Sequence, residues 1–225
     1  MYQFVTGPLA WISFAVFFVG VIVRAVMYFR GLDWQLDRVA YRVQMRDGIR
    51  GAARSIFRWL LPYGTHSWRF YPVFTFFVFL FHVGLLGVAL FYEGHNILML
   101  ERLGFRLPSL PRFLADTLTI GVMVAAGFIV LRRIALPEVR ILTTAYDLLL
   151  LTIAVAPFLT GFIAAHQIGN YDFWIVTHVL AGEIMLVAIP FTKLSHFILF
   201  FMSRAQLGMD YGIKRGGAKS GGFAW

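Results

Sequence analysis

Five runs of apolar residues, roughly 4 to 29, 71 to 92, 113 to 131, 144 to 165 and 174 to 202, divide the chain, and none alternates with period two. A helix rises 1.5 Å per residue, so about 20 such residues cross the roughly 30 Å of hydrocarbon in a bilayer. Membrane β-barrel strands are about ten residues long and alternate apolar with polar positions, so the pattern predicts helices. The fold expected is an all-α membrane protein, a bundle of five transmembrane helices forming a single domain over 1–225. The first run has no basic stretch before it and no small-residue cleavage pattern after it, which predicts a retained helix rather than a removed signal peptide. Read as one helix, the fifth run carries His178 and His196 on one face, because 18 residues make five whole turns, about 27 Å along the axis.

Composition agrees with that reading. Of 225 residues, 60% are hydrophobic and 14% charged, with a mean hydropathy of +0.75, outside the range of ordinary soluble domains. The net charge of +9 reports topology and contact with anionic membrane lipid rather than nucleic acid. Segment 30–70 holds eight arginines, the loop "RRIALPEVR" three, and the chain after 203 four Lys or Arg, against three in 93–112 and none in 166–173. The positive-inside bias then puts the N-terminus outside and the C-terminus in the cytoplasm, as a multi-pass protein of the cytoplasmic (inner) membrane. Arg38, Arg42, Arg46, Arg50, Arg54 and Arg58 recur every four residues, with Trp34, Val39, Val43, Ile49 and Phe57 left to other faces. This predicts an amphipathic basic cytoplasmic helix between the first two spans, lying on anionic lipid or docking a cytoplasmic partner. The chain after 203, ending "KRGGAKSGGFAW", reads as a flexible tail.

The chain has no cysteine, which removes thiolate-ligated iron–sulfur clusters, disulfides and covalently attached c-type haem from what it holds itself. Six histidines remain. His66 falls in the cytoplasmic segment, but polar groups inside membrane helices are costly without partners. A b haem explains several at once, since its iron takes axial imidazoles from facing helices. His178 and His196 on the fifth span then need mates on the second, where "FLFHVGLLGVALFYEGHNILM" offers His82 and His95. Thirteen residues rotate His95 about 140° from His82 on a straight helix, so His95 needs a kink or a place beyond the regular helix, and Gly94 beside it favours one. His166, at the outer end of the fourth span, is the alternative distal ligand or a quinone-site residue.

At these residues the chain resembles the respiratory nitrate reductase gamma subunit-like family of dihaem membrane cytochromes b. "FHVGLLG" at 81 to 87 is similar to the family's second-helix motif, "HVLAGEIMLVAIPFTKLSH" at 178 to 196 to its fifth-helix motif, and "LRRIALPEVRILTTAYDLLLL" at 131 to 151 to a connecting loop. The resemblance covers about residues 71 to 203. It implies quinol oxidation in the membrane, with electrons passing through a distal and a proximal haem b to a cytoplasmic iron–sulfur subunit. By position, His82 and His196 are the proximal ligands and His178 a distal one. The nitrate reductase members place the other distal ligand ten residues after the first, where this chain has Tyr92, leaving His95. The long basic segment also departs from those members. Both departures point to the branch in sulfate-reducer-type transmembrane complexes, whose partners are heterodisulfide-reductase-like iron–sulfur proteins, with a nitrate reductase beta-like partner as the alternative and a periplasmic cytochrome c as a further candidate subunit.

On this reading a quinone or menaquinone site lies at the outer face, roofed by 96 to 112 and the start of the third span, with Asp116, Arg112 and His166 as the groups to accept protons. Capping of the third helix is the structural alternative for Asp116. Arg132, Arg133 and Lys193 are candidates for contacts with haem propionates or lipid phosphates. Arg24 is expected to snorkel, and Asp147 and Glu183 to have polar partners within the bundle. The rival functions are a gamma subunit of nitrate reductase proper, a proton-conducting subunit, or a membrane anchor without haem.

Overall fold

The computed structural model describes residues 2–32 and 45–215, without the side chains of 213–215. Arg38, Arg42, Trp34, Val39 and Val43 of the expected basic helix lie outside the described residues, as does the end of the tail. The described residues are mostly helical, with no strand among them: α1 (Tyr2–Arg30), α2 (Met45–Leu60), α3 (His66–Phe70), α4 (Pro72–Phe91), α5 (Glu93–Leu103), α6 (Arg112–Ala135), α7 (Pro137–Arg140), α8 (Ala145–Ala165), α9 (Tyr171–Phe191) and α10 (His196–Arg215). Five of these, α1, α4, α6, α8 and α9, are long and apolar enough to cross a membrane, the organisation of a multi-pass membrane protein. Their outer positions are greasy: Val19, Ile22, Val124 and Phe191 are all more than half exposed, as side chains solvated by lipid tails are. Near its start α1 widens into a π-helical stretch, Val5–Leu9, around Pro8, whose ring supplies no backbone N–H to an α-helical ladder.

The fifth apolar run does not form one helix. α9 stops at Phe191, just past Pro190, which removes one intrahelical donor. Thr192 then adopts an extended conformation, its hydroxyl donating to Ala188 O at 2.7 Å and accepting from Leu194 N at 3.2 Å. A 3-10 turn, Lys193–Ser195, leads into α10. The expected five-turn alignment of His178 and His196 on an uninterrupted helix therefore does not hold. The expected flexible tail does not hold over 204–215, where α10 continues to Arg215; the rest of it lies outside the described residues.

The chain separates into two compact units, Met1–Phe14 with Phe76–Leu186, and Ala15–Thr75 with Val187–Trp225. In the first, α4, α6 and α8 share a core of Phe81, Val88, Val122, Ala125, Ala126, Ala154 and Phe158. Close approach is set by Gly84: a Cβ there would lie 2.6 Å from Val122 Cγ2 and 3.1 Å from the Leu118 carbonyl oxygen. Phe77 stacks on Phe128 with ring centres 4.1 Å apart. A capping box starts α8, Thr144 accepting from Asp147 N while the Asp147 carboxylate accepts from Thr144 N at 2.9 Å. That gives Asp147 its expected polar partner, which also satisfies helix-end donors.

The second unit is organised by α2 against α10. Gly48, Gly51 and Ser55 of α2 are buried, and a Cβ on Gly51 would lie 2.2 Å from Gly208 O. Reciprocally, a Cβ on Gly208 would meet Gly51 O at 2.4 Å, and one on Gly212 would meet Asp47 O at 2.2 Å. Small residues three and four apart line one helix face, so two backbones meet directly there. Arg46, Arg50, Arg54 and Arg58 consequently occupy exposed positions, beside Ile49 and Phe57, which are 58% and 65% exposed. Across the same pair the Arg204 guanidinium sits 4.7 Å from the Trp59 ring centre.

Candidate functional site

Two imidazoles from distant parts of the chain come together in the first unit. His95 and His178 have ring centres 5.8 Å apart and ring planes parallel to within 2°. The chain reaches this arrangement by interrupting the helix: α4 ends at Phe91, Tyr92 is extended (φ −69°, ψ 135°), and α5 restarts at Glu93. The break thus falls two residues before Gly94 and supplies the change of phase that a straight helix denies to His95. Each ring is oriented by a carbonyl, His95 Nδ1 donating to Ala89 O at 3.0 Å and His178 Nδ1 to Pro157 O at 2.8 Å. A carbonyl oxygen only accepts, so Nδ1 carries the proton in both rings and the Nε2 lone pairs are left to bind something else.

Space is provided on the same side. A Cβ at Gly161 would stand 2.8 Å from both Cε1 and Nδ1 of His178, so the absence of a side chain there seats the ring. One turn beyond His178 on α9, Gly182 faces open space, with nothing within 4 Å of a notional Cβ. Burial pushes the His95 imidazole below its usual value, against the opposing effect of its backbone bonds, which keeps it neutral and able to ligate. No group of three or more His, Asp or Glu side chains that could hold a bare metal ion occurs among the described residues. Two oriented imidazoles with their Nδ1 atoms committed to carbonyls would instead suit a haem, which His95 and His178 would hold through Nε2. With metal–nitrogen bonds of about 2 Å, two imidazoles on one ion have ring centres about 6 Å apart. The residues present fit the group.

Beside this pair lies an acid–base cluster made of the three expected quinone-site residues. Asp116 Oδ2 is 3.4 Å from His166 Nε2 and 4.0 Å from Arg112 Nε. His166 Nδ1 is directed to Phe162 O at 3.0 Å, which turns Nε2 toward the carboxylate. Arg112 also donates to Ala165 O at 3.2 Å, tying the start of α6 to the end of α8. Asp116 does not cap α6, whose N-cap is Pro111 with no side-chain bond. Tyr92 links the two groups of residues: its ring centre is 5.5 Å from that of His95, and it senses the charges of Arg112 and Asp116. Burial, the largest cause, and the nearby carboxylates raise its hydroxyl above the usual value while Arg112 opposes them, so Tyr92 is a neutral hydrogen-bonding group.

A residue the sequence did not single out holds this region in shape. Asn96 is 1% exposed; its amide donates to Pro108 O and Ser109 Oγ, and its carbonyl accepts from Leu107 N. Leu110 N donates to Phe91 O at 2.8 Å, so the segment after α5 is pinned across the end of α4. Gly104 ends α5 at φ +77°, a left-handed conformation favoured by glycine. A single sequence carries no signal that separates Asn96 or Gly161 from other polar and small residues.

The remaining candidates are placed as follows. His82 lies at an exposed position of α4, its Nδ1 bonded to Val78 O at 2.8 Å. His196 and Lys193 belong to the second unit, where they line a cavity of about 590 Å³ with Arg24, Tyr28, Trp59 and Arg204. His196 Nδ1 is bonded to Lys193 O at 3.0 Å. Arg24 donates to the Pro190 carbonyl at 3.0 Å, and Tyr28 bonds to Gln206. Arg133 donates to Thr143 Oγ1 at 3.4 Å, and Arg132 is partly exposed near it in sequence at the end of α6. His66 opens α3 and stacks on Phe70, ring centres 6.2 Å apart. Glu183 departs from expectation: both carboxylate oxygens are buried and neither has a hydrogen-bond partner.

Fold and site together define an all-helical protein with five membrane-length helices and a pair of oriented imidazoles beside an Asp–His–Arg cluster. The chain is 55% identical over 226 residues to a protein of Nitratidesulfovibrio vulgaris (strain Hildenborough), across the full length of both, and it belongs to the same family as that protein. No family model matches the chain, and no solved structure matches it.

Proposed function

We propose that the chain is the dihaem cytochrome b subunit of a membrane respiratory complex, exchanging electrons between the quinone pool at the outer side and a cytoplasmic iron–sulfur partner. The observation that carries this reading is the His95–His178 pair, parallel and 5.8 Å apart with both Nδ1 atoms committed to carbonyls. A bound haem supplies one-electron transfer. His95 and His178 hold the distal haem, and the resemblance assigns the proximal haem to His82 and His196, with Lys193, Arg132 and Arg133 available to propionates. The arginine-rich segments face the cytoplasm, which puts the N-terminus outside and α2 as a basic helix at the inner surface. The partner preferred is a heterodisulfide-reductase-like iron–sulfur protein, with a nitrate reductase beta-like chain as the alternative.

The chemistry at the outer end follows from the Asp–His pair. Oxidising a quinol delivers two electrons inward and releases two protons, and the second event needs a base within reach of the hydroxyl. His166 Nε2 is that base, with Asp116 stabilising the imidazolium that forms and Arg112 holding the carboxylate. Tyr92 completes the polar wall next to His95. Protons leaving outside while electrons move inside charge the membrane, and the same residues serve the reverse reaction.

The decisive measurement is the spectrum of the purified protein. Reduced-minus-oxidised absorption and electron paramagnetic resonance are expected to show low-spin haem b with two imidazole ligands; a protein without haem absorption overturns the proposal in favour of an anchor or proton-conducting subunit. The quinone site has its own test. Asp116→Asn is expected to slow haem reduction by a menaquinol analogue about a hundredfold while leaving the haem spectra unchanged. An unaltered rate would remove Asp116 from the site.

A further inference from the structure

Glu183 is 6% exposed, and neither carboxylate oxygen has a hydrogen-bond partner. It is the thirteenth of the 21 residues of α9, about 18 Å from the start of a helix about 31 Å long, and therefore near mid-depth in a bilayer. The other described acidic residues of the membrane-length helices, Asp116, Asp147 and Asp172, all lie within the first five residues of their helices. Two of them have evident work there, Asp116 with His166 and Asp147 with Thr144. No charged side chain of any described element reaches Glu183, so there is no facing ion to hold it as a structural salt bridge. A carboxyl kept for packing alone is ordinarily hydrogen-bonded, because an unsatisfied buried polar group is costly and an unpaired charge more so.

A carboxyl in this position has two stable forms: the neutral acid, or the carboxylate beside a positive charge. Glu183 follows His178 by five residues, which places it about 7.5 Å deeper along α9. A unit of charge that appears or disappears roughly 10 Å away changes the proton affinity of such a group about tenfold at an effective dielectric constant of about 20. Resting on the function proposed above, we infer that Glu183 is a proton-binding residue of the electron-transfer reaction, taking up one proton when the centre held by His95 and His178 gains one electron. An electron from the quinol arriving at that centre would be accompanied by one proton from water adding to a carboxylate oxygen of Glu183, and removal of the electron would release that proton. Because linkage is reciprocal, protonating Glu183 raises that centre's affinity for the electron by the same factor.

The test is a spectroelectrochemical titration of the full-length purified protein at several pH values. In the wild type the midpoint potential of the haem that disappears in His178→Ala is expected to fall with rising pH by about 59 mV in all, the tenfold change in equilibrium constant for one electron. In Glu183→Gln, which keeps the volume and loses the ionisation, that dependence is expected to vanish for the same haem. Equal slopes in the two proteins overturn the inference and leave the cytochrome proposal standing; a protein without haem overturns both. A measurement on the wild type alone guards against a poorly folded variant. Its reduced-minus-oxidised infrared spectrum is expected to gain a carboxylic C=O band that shifts in D2O, and the absence of that band also overturns the inference.

Discussion

If the chain is the dihaem cytochrome proposed above, substituting alanine for His178 is expected to lower its haem b content from two per chain to one, and to abolish electron entry from quinol while the remaining haem keeps its bis-imidazole spectrum. The size of the effect follows from how the ring is held. One carbonyl, that of Pro157, fixes its orientation at 2.8 Å, a glycine at 161 clears the space it occupies, and His95 is the only imidazole recorded in ring contact with it among the described residues. His95→Ala is expected to remove the same haem. His166→Ala, which leaves the paired rings intact and removes the contact with Asp116 along with the local contacts to Phe162, is expected to retain both haems and slow quinol oxidation. Loss of haem in His166→Ala but not in His95→Ala would reassign the distal ligand.

The second large effect lies in the packing of α2 on α10. Gly51→Ala is expected to cost about 3 kcal/mol of stability, at the upper end of ordinary overpacking substitutions, because the added carbon would lie 2.2 Å from the Gly208 carbonyl oxygen. A flexible side chain yields to such a contact, but here the obstacle is backbone, so the two helices must move apart along the whole contact and lose the burial of Gly48 and Ser55. Gly127→Ala is the matched control: it is also a helix-interior glycine, nothing lies within 4 Å of its added carbon, and it is expected to change stability by less than about 1 kcal/mol. Thermal unfolding in detergent compares the two. Since the chain has no cysteine, a cysteine pair introduced across α2 and α10 reports the separation directly, and efficient cross-linking in Gly51→Ala would show that the helices had not moved. The consequence reaches function, because this packing holds Arg46, Arg50, Arg54 and Arg58 at exposed positions.

Much of the local structure was legible along the chain. Helices of the membrane kind leave their mark on every residue they contain, since each must be apolar to face lipid or core, and α1, α4, α6 and α8 begin and end within a few residues of the runs that predict them. Chemistry concentrated in rare residue types was legible for a related reason. An Asp, an Arg and a His near helix ends at one side of an apolar bundle have few places to go, and Asp116, Arg112 and His166 do meet. The sequence leaves His95 and His166 as alternative partners for His178, and it is His95 whose ring lies against it.

What escaped a linear reading depends on phase and on contact. Thr192 and Pro190 interrupt the last apolar run, and the interruption is invisible to hydropathy because a capped break and a continuing helix can be equally greasy. The same holds at Tyr92, where one extended residue turns His95 to meet His178; periodicity specifies a rotation only for as long as a helix is unbroken. Gly161 and Gly51 are two glycines among 21, and only the neighbour across the gap, an imidazole in one case and a backbone carbonyl in the other, tells what each is for. Glu183 belongs with them: its type and depth could be read from the order of residues, but the lack of any partner is a property of everything packed around it. The chain's composition and order thus dictate which segments lie in the membrane and which side chains carry chemistry. The meeting of those side chains is set by breaks, glycines and burial that act between segments far apart in sequence, where short-range patterns hold no information.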